Sequence, residues 1–111
     1  MRISPWTLNE AEQIEATALL AELIRRESPD PPGNEIAVAE HLMDWFNARG
    51  FVTEMDEFQP GRVNFLARLP GGNKPALIFS AHMDTMPVGQ VAWNHNPFGA
   101  DIVDGKLYGR G

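Results

Sequence analysis

Pro75-Ala76-Leu77-Ile78-Phe79-Ser80-Ala81-His82-Met83-Asp84-Thr85-Met86-Pro87 is the stretch on which the reading of this chain turns. Ala76 to Phe79 is an unbroken apolar run, the pattern of a strand covered on both faces. The small residues Ser80 and Ala81 close the run, and His82 and Asp84 follow. Two residues apart on extended backbone, these side chains project to one side. Pro75 to Ala81 is therefore expected to be an interior strand with His82 at its C-terminal end. In open α/β sheets, ligands bind in the crevice at the carboxyl ends of the strands. A His and an Asp placed there suit a metal ligand and the carboxylate that orients it. Each has a plainer reading as well. His82 could be an ordinary buried histidine bonded to Asp84, and Asp84 could cap the loop that follows.

Upstream of this stretch, Thr7-Leu-Asn-Glu10 fits a capping box. Ile14, Ala18, Leu20, Ala21, Leu23 and Ile24 then predict an amphipathic helix from about Leu8 to Arg26. Arg25 and Arg26 are expected in its last turn, where cations suit the helix dipole. Ser28-Pro-Asp-Pro-Pro-Gly-Asn34 is a rigid loop, since proline cannot donate to a regular backbone ladder. Asn34 can cap a second helix over about Glu35 to Arg49, with Val38, Ala39, Leu42, Met43, Trp45 and Phe46 as its apolar stripe. Gly50 is the expected left-handed stop. Strands are predicted over Phe51–Phe58 and Val63–Leu69, joined by the turn Gln59-Pro-Gly-Arg62. The two helices are expected to pack their apolar faces onto the sheet that holds Pro75–Ala81. Downstream, Ile102-Val103 and Lys106-Leu107 flank Asp104-Gly105, a two-residue hairpin signal. The chain stops at Tyr108-Gly-Arg-Gly111, and a Gly-rich turn just after a hairpin reads as a cut through a longer protein.

The 111 residues suffice for one domain and not for two. With 43% hydrophobic and 22% charged residues, the class expected is an ordinary soluble globular one. No apolar run is as long as a membrane span. Met1 to Trp6 lacks the apolar core of a signal peptide, so a cytoplasmic location is the default. The chain has no cysteine, which excludes disulfides, thiolate metal sites and a cysteine nucleophile. Any metal site must then use His and carboxylates, a set that suits zinc, manganese or cobalt. A formal charge of −6 argues against nucleic acid or an anionic membrane as partner.

Beyond His82, the remaining candidates read more plainly. His41 is expected on the polar side of the second helix and His95 in a solvated loop between two asparagines. Trp93 and Phe98 read as loop packing. Asp104 is explained by turn chemistry, and Asp101 has no evident partner in the sequence. Arg110 could steer an acidic substrate, although Gly-Arg-Gly more simply shapes a turn.

Several motifs together resemble metallopeptidase family 20, the two-metal amidohydrolases and peptidases. Leu20-Ala-Glu-Leu-Ile-Arg25, Ser28 and Pro31-Pro-Gly-Asn-Glu35 look like the family's first helix and loop. Val63-Asn-Phe-Leu-Ala67 is similar to its x-N-hydrophobic strand, and Ser80-Ala-His-Met-Asp-Thr-Met-Pro-Val88 to its x-H-x-D-x-x-P-V motif. Trp93, Pro97 and Phe98 match W-x-x-x-P-F, and Asp104 to Gly111 matches D-G-x-L-Y-G-R-G. A lone H-x-D would be weak; ordered motifs at natural spacing are strong.

The resemblance implies an α/β fold: part of an αβα-layered catalytic domain with a mixed sheet, incomplete over residues 1–111, with the lid domain and the rest absent. It implies His82 as a metal ligand. It likewise implies Asp84 as the catalytic partner that would hold the imidazole and tune its basicity. It also implies two zinc ions, with cobalt or manganese as alternatives, and a homodimeric parent enzyme acting on small N-acyl amino acids or peptides. The family's other ligands and its general base have no counterpart in these residues, so the chain alone is expected to be inactive. The alternative is a non-catalytic remnant or interaction module of the same fold.

Overall fold

The computed structural model describes residues 7–111. The expectation for Met1 to Trp6 lies outside the described residues. Helix α1 spans Glu10–Ile24 and α2 spans Ile36–Asn47. Strands β1 (Val52–Gln59) and β2 (Arg62–Arg68) form one antiparallel pair, and β3 (Asp101–Val103) and β4 (Lys106–Tyr108) a second.

Helix α1 starts two residues later than the Thr7 box predicts. Asn9 is the N-cap: its side chain accepts from Glu12 N–H, and the Glu12 carboxylate accepts from Asn9 N–H at 2.8 Å. Both Thr7-x-x-Glu10 and Asn9-x-x-Glu12 satisfy the same box. At the other end Arg25 is the C-cap, and Arg26 Nη1 donates to the Glu22 carbonyl at 2.6 Å. Arg25 and Arg26 also flank the Glu22 carboxylate, at 2.7 and 2.9 Å. Hydrogen bonds from Arg26 and then Arg25 hold the Glu22 carboxyl below its usual range. This contribution is present at neutral pH and is lost as pH falls through the lowered value. Glu22→Gln is thus expected to flatten the acid limb of the stability-versus-pH curve. An acid limb identical to wild type would show the cluster to be inert.

The β1–β2 register runs from Val52 opposite Arg68 to Gln59 opposite Arg62, with one slip between Glu57 and Gln59. Pro60 and Gly61 (φ +78°) make the turn, the residue order a type II turn demands. Val63 is buried and Phe65 and Ala67 are half-buried, while Asn64, Leu66 and Arg68 are exposed. That period of two gives β2 one inner face, and α2 packs against it. Phe46 is the contact: its ring lies 4.8 Å from Phe51 and 5.7 Å from Phe65, between centroids. Gly50 closes α2 at φ +82°, as expected of the residue after a helix. The β3–β4 turn has both Asp104 and Gly105 at positive φ, which is the type I′ geometry.

Two expectations are corrected here. Pro75–Ala81 is not a strand, and Leu77, Ile78 and Phe79 are 79%, 82% and 87% exposed. Both sheets are antiparallel pairs, and neither includes this segment. An apolar run marks a segment that gains by burial. Burial itself needs a neighbouring strand, and none of the described elements supplies one. Nor do both helices pack on a shared sheet: α2 covers the β1–β2 pair, while Ile14 and Leu20 of α1 are 64% and 49% exposed. Among the described residues the buried apolar set is small, namely Ala21, Val38, Ala39, Val63 and Ala100. The radius of gyration is 16.3 Å, against about 13 Å for a compact domain of this length. The mixed helix and strand content agrees with the α/β expectation.

The loop between the helices is clamped rather than free. Glu35 is buried and pairs with Arg62 Nε at 2.8 Å, and its N–H donates to the Gly61 carbonyl at 3.0 Å. Gly33, at φ +75°, lies under Arg62, and a Cβ there would sit 2.6 Å from the guanidinium carbon. Gly33→Ala is therefore expected to cost about 1–3 kcal/mol, from the left-handed backbone and the displaced guanidinium together. A wild-type urea midpoint in that variant would show the loop to be loose.

Candidate functional site

His82 and Asp84 meet even though their segment joins no sheet. His82 Nδ1 lies 2.7 Å from the Asp84 carbonyl oxygen and 3.2 Å from Asp84 Oδ1. Both acceptors belong to one residue, so the arrangement favours a proton on Nδ1, donated to Asp84. Nε2 is then left with its lone pair, as a metal ligand requires. The imidazole is 78% exposed and the carboxylate 37%. The expectation that the Asp84 carboxylate faces the His82 ring matches the observed geometry.

The segment is tied to the interhelical loop by three hydrogen bonds. Ser28 Oγ donates to the Met83 carbonyl at 2.7 Å. Thr85 N–H donates to the Ser28 carbonyl at 2.9 Å, and Asp30 N–H to the Thr85 carbonyl at 2.9 Å. Pro29 and Thr85 form a parallel bridge. The chain of contacts continues through Arg62, which reaches Asp30 at 3.5 Å and Glu35 at 2.8 Å. The pair is thus anchored to the β1–β2 turn through the Pro-rich loop.

The other histidines are elsewhere. His41 is half-buried on α2. His95 is not solvated as expected. Its side chain is 27% exposed, its Nδ1 lies 3.2 Å from Asp101 Oδ2, and its ring stacks on Tyr108 at 4.0 Å between centroids. Asp101 accordingly has a partner that sequence reading did not see. Trp93 is exposed rather than packed, and its Nε1 donates to the Val88 carbonyl at 2.9 Å. Arg110 has its guanidinium 5.6 Å from the Trp93 ring, and its backbone N–H donates to the Pro97 carbonyl at 2.7 Å. A Cβ on Gly109 would lie 2.6 Å from Ile24 Cγ2, which ties the Gly-Arg-Gly turn closely to α1.

Among the described residues, no three His, Cys, Asp or Glu side chains come together in a way that could hold a metal. A catalytic zinc normally takes three protein ligands. The pair fits one ligand of such a centre with its orienting carboxylate, and not a whole centre. The residue that sequence reading missed is Ser28, treated only as part of a loop. Its signal was weak: one hydroxyl ahead of a Pro-rich turn.

Comparison with known proteins bears on the same segment. Residues 78–111 match the family described as peptidase family M20/M25/M40, so the motif-bearing part of the chain resembles a family of metal-dependent hydrolases of amide bonds. Among individual proteins, the chain is 40% identical over 87 residues to an acetylornithine deacetylase of Vibrio vulnificus, covering 76% of this chain and 22% of that protein. It is 42% identical over 99 residues to a succinyl-diaminopimelate desuccinylase of Parvibaculum lavamentivorans, covering 84% and 24%. A desuccinylase of the same name from Caulobacter sp. is 38% identical over 103 residues, covering 92% and 26%. The chain spans about a quarter of the length of the curated relatives it matches. No helix among the described residues is long and apolar enough to cross a membrane.

Proposed function

We propose that this chain contributes His82 as a metal ligand, and Asp84 as the carboxylate that orients it, to a metal-dependent amide hydrolase. The substrates would be N-acyl amino acids or small peptides. The observation that carries the reading is the His82–Asp84 contact, with Nδ1 engaged at 2.7 and 3.2 Å and the imidazole exposed. The relatives support it by their names, two of them desuccinylases and one a deacetylase. Bound at such a centre, two zinc ions, or cobalt or manganese, would supply Lewis acidity toward the amide carbonyl. The role of His82 is to donate its Nε2 lone pair, and that of Asp84 is to hold the ring so that this nitrogen faces outward. The wider setting is an αβα-layered catalytic domain in a cytoplasmic homodimer. The net charge of −6 disfavours nucleic acid or an anionic membrane as partner.

Assays of the complete enzyme on N-acetyl and N-succinyl amino acids test the reading, with His82→Ala as control. Metal-dependent turnover that falls to background in His82→Ala is the expected result. Equal turnover in the two proteins would remove His82 from the centre, and no turnover in either would favour a non-catalytic module. The 111-residue chain by itself offers one ligand where at least three are normal. Calorimetric titration of this chain with zinc is therefore expected to show no tight stoichiometric site. A sub-micromolar site dependent on His82 would mean that other groups complete the centre.

A further inference from the structure

We propose that Ser28 is the positioning residue for the His82–Asp84 pair, fixing Asp84 so that His82 is held in one tautomer with Nε2 free. The functional consequence rests on the reading of His82 as a metal ligand; the geometry stands without it. Asp84 lies between two peptide groups, and Ser28 holds both. The peptide before it is fixed at the Met83 carbonyl, which accepts from Ser28 Oγ at 2.7 Å. The peptide after it is fixed at Thr85 N–H, which donates to the Ser28 carbonyl at 2.9 Å. The oxygen of that second peptide is the Asp84 carbonyl, the 2.7 Å partner of His82 Nδ1. A peptide group is planar, so holding its N–H also aims its oxygen. One residue thereby sets both the carbonyl and the carboxylate that His82 meets.

Ser28 is 1% exposed, so water does not compete for these bonds. A serine acting as a local turn-former would bond to its own backbone about two residues on. The Ser28 hydroxyl instead reaches across 55 positions of sequence. The loop that carries it is itself pinned, through Asp30 and Glu35 to Arg62. The clamp therefore has a fixed base on the β1–β2 turn.

The test is a long-range nitrogen–proton correlation of the histidine rings in the labelled 111-residue chain. It is run at about pH 8.5, where an ordinary imidazole is neutral. Wild-type His82 is expected to show the Nδ1–H tautomer. Ser28→Ala keeps the backbone carbonyl that holds Thr85 N–H and removes only the anchor of the Met83–Asp84 peptide, which carries the Asp84 side chain. The ratio of Nδ1–H to Nε2–H at His82 is therefore expected to fall by about threefold or more in this variant as the carboxylate loses its aim. The His41 and His95 rings should stay as they were. Ser28→Thr keeps the hydroxyl and should restore the wild-type pattern. Should Ser28→Ala lose the amide pattern of the β1–β2 pair, Ser28→Cys replaces it, with a weak donor in nearly the same space. A wild-type His82 pattern in either folded variant overturns the proposal, as does a folded Ser28→Thr with mixed tautomers. The metal reading is judged separately, by turnover in His82→Ala. Tautomer control by Ser28 without any need for His82 in turnover would sink the function and leave the clamp; the reverse result would do the opposite.

Discussion

Glu35→Ala is expected to destabilise the fold by about 3 kcal/mol, the low end of what breaking a buried ion pair costs. The carboxylate is 4% exposed and Arg62 24%. One oxygen accepts from Arg62 Nε at 2.8 Å, and the other from Val63 N–H at 3.4 Å. Truncation removes both acceptors. Arg62 keeps only Asp30, at 3.5 Å, and the Val63 N–H loses its side-chain partner. The partial exposure of Arg62 lets water recover some of the loss, hence the low end of the range. Glu35→Gln keeps an acceptor oxygen and the shape while losing the charge, and should cost about 1–2 kcal/mol. Against a typical domain stability of about 5–15 kcal/mol, the alanine change is large. Urea unfolding followed by tryptophan fluorescence measures both variants. A loss under about 1 kcal/mol in Glu35→Ala would show that the pair is replaceable and that the loop is held by its backbone bonds alone.

What could be read in the sequence was what local chemistry decides. Both helices, both antiparallel pairs and the positive-φ stop at Gly50 were predicted, with ends displaced by one or two residues. The start of α1 moved because Thr7 and Asn9 each precede a Glu by three, and periodicity does not choose between two equivalent boxes. The misreading of Pro75–Ala81 is of another kind. Leu77, Ile78 and Phe79 carry the composition of a covered strand, but a strand exists only through pairing, and the described neighbours pair with each other. His95 and Asp101 are six apart, a spacing with no regular period. The intervening turn joins them, with Gly99 N–H on the Asn96 carbonyl and Ala100 at φ +55°. The Ser28–Met83 hydrogen bond was illegible for a similar reason, since the partner is distant in the chain. The contact between His82 and Asp84 was legible because a separation of two residues keeps the groups within reach of each other.

In the complete metal-loaded enzyme we propose, Asp84→Asn is expected to lower metal affinity or kcat/KM by about 10–100-fold, the usual effect of removing a ligand's orienting carboxylate. At about 1.4 kcal/mol per tenfold, that is roughly 1.4–2.8 kcal/mol. Asparagine has the same shape, so the effect isolates charge and hydrogen-bond polarity. The amide can turn its NH₂ toward His82 Nδ1. That would favour the tautomer with hydrogen on Nε2, which has no lone pair to give a metal. The Asp84 carbonyl, 2.7 Å from Nδ1, is untouched and opposes that switch. The loss should accordingly be smaller than in His82→Ala, where the ligand itself is gone. Stability should hardly move, because the Asp84 side chain is 37% exposed and surface changes of this kind usually stay within about 0.5 kcal/mol. Three readings on the same variant decide the matter: competition with a chelator for the metal, kcat/KM on an N-acetyl amino acid, and the urea midpoint. Lost affinity or rate with an unmoved midpoint assigns Asp84 to the centre. Wild-type affinity and rate would reduce its contact with His82 to a loop cap, and a fall in the midpoint that matches the fall in activity would make Asp84 structural.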